Sequence, residues 1–166
     1  MEYRLGQRGR GGIGVAGLRD YLDPDCVVAG LEETDREGVV RSLVKLLAAA
    51  GKVLDPETLV RDVLERERLA PTGLGEACAV PHAQSASVET TVLAAASLAK
   101  PVDFCAPDNK PASLVFLMAG PKDSAGLHLK LLSKLARFMH DPEFRQAALQ
   151  AADGPALSDL IFSRDT

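Results

Sequence analysis

Two stretches of this sequence are apolar at almost every position, Val92 to Leu98 and Ala112 to Ala119. A strand with one wet face alternates apolar and polar residues, so a run without alternation belongs to a central strand covered by helices on both faces. Neither run approaches the roughly 18 to 20 residues needed to span a bilayer, and no membrane insertion is expected. Pro101 to Pro111, with three prolines, Asp103, Asp108 and Asn109, reads as a turn or hairpin between the two runs. Helical segments with start and stop signals lie on either side. Thr34-Asp35-Arg36-Glu37 has the form of a capping box with Thr34 as the cap. Val39, Val40, Leu43, Leu46, Leu47 and Ala50 then recur at helical spacing up to Gly51, a terminator able to adopt positive φ. Asp55-Pro56 starts a second helix, with Leu59, Val60, Val63 and Leu64 as its buried stripe, ending near Leu69. Ser124 is a possible cap for a third, carrying Leu127, Leu131, Leu135 and Phe138. Asp141-Pro142-Glu143 starts a fourth with Phe144, Ala148 and Ala151, and Leu157, Leu160 and Ile161 suggest a short last one. Helices that outnumber and enclose strands predict the α/β class, a three-layer α/β/α domain with a mixed central sheet flanked by helices.

At 166 residues the chain has the size of one domain, expected over residues 18–162. Residues 1–17 are rich in Arg and Gly and read as a flexible N-terminus. Gly12-Ile-Gly14-Val-Ala-Gly17 spells a dinucleotide fingerprint, but no strand precedes it. No apolar core of a signal peptide follows the early arginines, which points to a cytoplasmic protein. Cys26, Cys78 and Cys105 are odd in number and widely spaced, as expected of free, mostly buried thiols. The net charge is −4 with the two signs interspersed, and aromatic residues make up 4% with no Trp, so nucleic acid is not an expected partner.

The chemistry-bearing residues are few. Pro71-Thr72-Gly73-Leu74-Gly75 is a breaker-rich turn, and Ala77 to Val80 reads as a short strand stopping at Pro81-His82. An imidazole just beyond a buried strand is held in place yet exposed, which suits a nucleophile or phosphoryl acceptor. From spacing alone, an acceptor and a surface histidine without a role stand equally open for His82. His128 falls in the first turn of a helix, where backbone amides favour an anion; without a partner it reads first as a partly exposed helix histidine. His140, the third and last histidine, sits at a helix C-terminus and reads as structural. Cys78, His82, Cys105 and His128 are of the right types for zinc, but their spacing is not that of a zinc site, and no metal or other cofactor is expected. No G-x-x-x-x-G-K-[ST] motif is present, so phosphate chemistry here would not start from a nucleotide.

Taken together, Glu65-Arg66-Glu67-Arg68-Leu69, Thr72-Gly73-Leu74-Gly75 and Ala79-Val80-Pro81-His82-Ala83 resemble the signature of phosphotransferase-system enzyme IIA domains of the mannitol/fructose and nitrogen-regulatory type. The similarity continues through Leu98 to Phe104, Pro111 to Leu117 and His128 to Ala136, covering about Leu18 to Ile161. The resemblance implies a phosphotransferase component. His82 would accept a phosphoryl group, on Nε2, from an HPr-like phosphocarrier protein and pass it to a IIB domain or use it to signal to a regulatory target. It implies His128 as hydrogen-bond donor to the phosphoryl, Arg66 as counter-charge and Thr72 as a contact in the adjoining turn. A binding module of the same fold with weak or no phosphotransfer is the alternative. Glu76-Ala77 stand where many relatives have Asn-Gly, Gln84 where nitrogen-branch members often have a basic residue, and Pro71 where they have Ser. A carboxylate at Glu76 close to a phosphohistidine is expected to repel it.

Overall fold

The computed structural model describes residues 17–165, so the tail and the glycine motif expected at the N-terminus lie, save Gly17, outside the described residues. After a single 3-10 turn, Leu18–Asp20, come β1 (Leu22–Leu31), α1 (Arg36–Ala49), α2 (Pro56–Leu69), β2 (Gly73–Gly75), β3 (Cys78–Ala79) and β4 (His82–Gln84). They are followed by β5 (Val92–Val102), β6 (Ala112–Gly120), α3 (Ala125–His140), α4 (Pro142–Gln150) and α5 (Gly154–Arg164). The six strands form one mixed sheet in the order β1-β5-β6-β3-β2, with β4 also on β6. β5 and β6 are an antiparallel hairpin, so the proline-rich segment is its connection, while β1 runs parallel to β5, and β3 and β4 run parallel to β6.

The apolar runs are the two central strands, and their lack of alternation has a direct cause. Along β5 and β6, Ala94, Ala96, Val115 and Leu117 pack on one face with α1 and α2. Leu93, Ala95, Leu114, Phe116 and Met118 pack on the other face with α3, α4 and α5. Both sets are buried, so the period of two is present but invisible in the sequence.

Three local expectations need correction. The cap of α1 is Asp35, one residue later than Thr34: its carboxylate accepts from the Gly38 amide at 2.7 Å. Glu37 does not reach back to the cap; it binds Arg41 one turn on, at 2.9 Å, because a guanidinium on the same face is a stronger partner than a peptide amide. Ser124 occupies the cap position of α3 without capping it, its hydroxyl being turned to Asp123. Asp55 and Asp141 cap α2 and α4 as expected, and Gly51 takes φ +76 just after α1.

β1 was not foreseen. Its segment includes Asp23-Pro24-Asp25, which reads as a breaker, but β1 is an edge strand paired only with β5. A residue without an N–H is tolerated there because one side of the ladder is free. The expected strand before His82 is also different. It is interrupted at Val80-Pro81 and resumes, so His82 is the first residue of β4 and not the residue after a strand end. The register on β6 is unbroken across the gap: Ala79 pairs with Val115 and His82 with Met118, while the Met118 amide donates to the Pro81 carbonyl at 3.1 Å. Pro81 can accept into a ladder but not donate to it, which splits one strand into two.

Candidate functional site

β4 and β6 run parallel and end together, Gln84 opposite Gly120. Clefts at the carboxyl ends of parallel strands are the usual binding places of such sheets. Here the first turn of α3 returns over that end and the last turn of α2 flanks it, enclosing an open cleft of about 390 Å³ whose walls include Asp62, Arg66, Leu69, His82, Gln84 and His128. The three residues singled out from the sequence as acceptor, donor and counter-charge therefore meet in one place.

His82 is half-buried, and its Nδ1 lies 2.7 Å from the Val80 carbonyl oxygen. A carbonyl can only accept, so Nδ1 carries the hydrogen and the lone pair of the neutral ring is on Nε2. Burial lowers the His82 pKa below its usual value; the hydrogen bond to Val80 opposes that, Arg66 adds to it and Glu67 opposes it. The ring of His128 stands against that of His82, centroids 5.3 Å apart and planes tilted by 57°. His128 is 7% exposed. Burial, then the charges of His82 and Arg66, push its pKa down to about 4. Near neutral pH both rings are therefore uncharged, one presenting a nucleophilic lone pair and the other able to donate through a single N–H.

Arg66 lies in the last turn of α2, its guanidinium donating to the Ala70 carbonyl at 2.8 Å. Among the described residues no carboxylate pairs with it, so its charge is available to an anion in the cleft. Asp62 is engaged by the Ser85 hydroxyl at 2.6 Å.

The remaining expectations fall differently. Thr72 does not line the cleft. It is buried, its hydroxyl donates to Glu67 Oε1 and its amide to Glu67 Oε2 at 3.0 Å. Glu67, which the sequence analysis did not single out as a site residue, is 3% exposed and also faces Arg36 at 3.7 Å. It locks the end of α2 to the following turn, and its charge reaches His82, whose pKa it raises against the effect of burial. A signal was present: Glu67 falls on the same stripe as Val60 and Val63, where a carboxylate must be buried. Glu76 is not beside the cleft. It sits in the β2–β3 turn, paired with Arg145 at 3.4 Å and Lys110 at 4.0 Å. The turn joins β3, which pairs with β6 four residues before His82 does, roughly 13 Å along the sheet, so its carboxylate does not act on the cleft. Gln84 does line it, exposed. His140 is exposed at the end of α3, outside the cleft.

The thiols are free, Cys26 and Cys78 buried and Cys105 exposed. Burial raises Cys78 to about 12 and Cys26 to about 11, which leaves neither as a ready thiolate. Among the described residues no three His, Cys, Asp or Glu side chains gather as a metal site, and no helix is long and apolar enough to cross a membrane.

Known proteins resemble this chain in sequence and in fold. The fructose-specific EIIABC component of the Bacillus subtilis PTS system is 32% identical over 148 residues, 89% of this chain but only 23% of that protein, so the chain spans about a quarter of that relative's length. Among solved structures, the nitrogen regulatory protein IIA-Ntr from Neisseria meningitidis superposes with a TM-score of 0.76 at 27% identity, covering 86% of this chain and 97% of that one. Enzyme IIA of the Escherichia coli mannitol system, in complex with phosphorylated enzyme IIB, matches with a TM-score of 0.67 at 25% identity, covering 81% and 92%. Residues 20–163 match the family described as phosphoenolpyruvate-dependent sugar phosphotransferase system, EIIA 2, and the chain belongs to that family.

Proposed function

We propose that this chain is a cytoplasmic phosphoryl carrier, a single domain over residues 18–162, in which His82 Nε2 takes a phosphoryl group from the phosphohistidine of an HPr-like protein. The observation that carries the reading is the hydrogen bond from His82 Nδ1–H to the Val80 carbonyl, which directs the Nε2 lone pair to the cleft shared with His128 and Arg66. In the transfer, that lone pair attacks phosphorus, the N–P bond of the donor breaks, and its electrons return to the donor imidazole. The reaction needs positioning and charge stabilisation more than covalent help. His128 donates to a phosphoryl oxygen and the Arg66 guanidinium balances the added charge. The newly phosphorylated ring still carries Nδ1–H and is cationic. The Val80 carbonyl and the charge of Glu67 stabilise that form, which keeps the group ready to leave. Leu69 on the cleft wall and Leu129 beside His128 are 71% and 69% exposed, an apolar rim suited to a protein donor.

The downstream acceptor is a IIB domain, as the neighbour bound to phosphorylated enzyme IIB supports. A regulatory output is the second reading, favoured by the high structural similarity to IIA-Ntr. Intact-mass measurement after incubation with phosphoenolpyruvate, enzyme I and HPr, in parallel with His82→Ala, tests the proposal. An acid-labile gain of one phosphoryl group is expected in the natural sequence alone. No gain with either sugar- or nitrogen-branch donors would overturn it in favour of a binding module.

A further inference from the structure

Among the described residues, three buried side-chain atoms lack a hydrogen-bond partner: Thr91 Oγ1, His128 Nδ1 and Asp165 Oδ1. The last is held by Lys134, whose Nζ lies 2.5 Å away. The other two lie together. Gly120, the last residue of β6, has no side chain, and a Cβ built there would stand 3.0 Å from Thr91 Oγ1 and 3.5 Å from His128 Nδ1. Both residues are more than nine-tenths buried, Thr91 at 6% and His128 at 7% exposure. The structure shows no hydrogen bond between them; an orphan donor or acceptor in such a place is costly, and two that flank one bare glycine can satisfy each other after a small shift of either side chain.

The direction of the bond follows from what each atom can do. If His128 Nδ1–H donated to the hydroxyl, the threonine's own hydrogen would need a further acceptor, and among the described residues Thr91 Oγ1 has no other partner. If the hydroxyl donates to the Nδ1 lone pair, both hydrogens find use: one on Thr91, the other on the cleft side of the ring. From this we infer that Thr91 is a positioning residue: its O–H, brought within reach by a small shift of either side chain at Gly120, donates to His128 Nδ1, and so holds His128 as the Nε2–H tautomer that can donate to a phosphoryl on His82. The outer partner of an imidazole sets its tautomer and orientation in this way at many functional sites. The inference rests on the carrier reading for its purpose, but not for its test.

Ring-nitrogen NMR of the unphosphorylated protein reads the tautomer without any donor protein. The natural sequence is expected to show Nε2–H at His128, Thr91→Val a mixture of tautomers, and Thr91→Ser the natural pattern again. Phosphoryl transfer to His82 is expected to slow by about three- to tenfold in Thr91→Val, the range a single lost hydrogen bond produces, and to recover in Thr91→Ser. An Nδ1–H tautomer in the natural protein, which requires no variant to fold, would overturn the inference, as would an unchanged tautomer in Thr91→Val. Failure of His82 to gain mass would instead overturn the carrier reading and leave the tautomer result standing.

Discussion

At the scale of single residues, the cleft keeps two histidines neutral and fixes which nitrogen of His82 is free. The cost appears in the pH dependence of stability. A histidine whose pKa is about 6.5 unfolded and about 4 folded, as for His128, binds its proton earlier in the unfolded chain. Stability is therefore full above pH 6.5, falls as pH drops towards 4, and loses nothing further from this group below that. The loss attributable to His128 is about 2 kcal/mol after discounting for the solvent that reaches the cleft. Urea unfolding at pH 7 and pH 4.5 is expected to show a smaller acid loss in His128→Gln than in the natural protein; equal losses would mean that burial does not depress His128. Little of this was legible in the sequence. His82, His128 and Arg66 were recognisable as a set by resemblance, but Glu67 and Thr91 were not. Their roles depend on which buried atoms face them.

At the scale of elements, the departures from the family pattern acquire a physical meaning. Glu76 and Ala77 both have positive φ, +56 and +62, in the two-residue turn between Gly75 and Cys78. That is the conformation for which Asn-Gly is the favoured pair. The concern with these positions is thus backbone strain in a hairpin and not repulsion at the phosphoryl site. Ala77→Gly is expected to stabilise the protein by about 0.5–1 kcal/mol, the relief of a left-handed alanine less the added freedom of glycine when unfolded. The urea midpoint should rise while the rate of phosphoryl transfer stays the same. A changed rate would show that the turn communicates with the cleft after all.

At the scale of the whole molecule, the hairpin of β5 and β6 is the wall between two cores, and both depend on it. Phe116, fully buried among α3, α4 and α5, is the largest side chain that β6 places on that face. Phe116→Ala is expected to cost about 3–5 kcal/mol, a large part of the 5–15 kcal/mol typical of a domain; a melting temperature lowered by only a degree or two would show that the helical layer closes over the gap. The helices, the two central strands and the three-layer class were legible because periodicity, caps and breakers act within a turn or two of the chain. β1 was hidden because Asp23-Pro24-Asp25 reads as a break unless its place on the sheet edge is known. The short strands around Pro81 were blurred because two or three residues carry no period, and only pairing with β6 defines them. The sequence by itself determined the helices, the two central strands and the identity of the chemical groups, since these follow from local patterns of side chains. Only the tertiary structure decided that Glu76 is remote, that Thr72 serves Glu67, that Val80 orients His82 and that Thr91 and His128 both come up against Gly120. Each of these depends on contacts between segments far apart in the chain or on a backbone direction set by such contacts, and no local pattern encodes them.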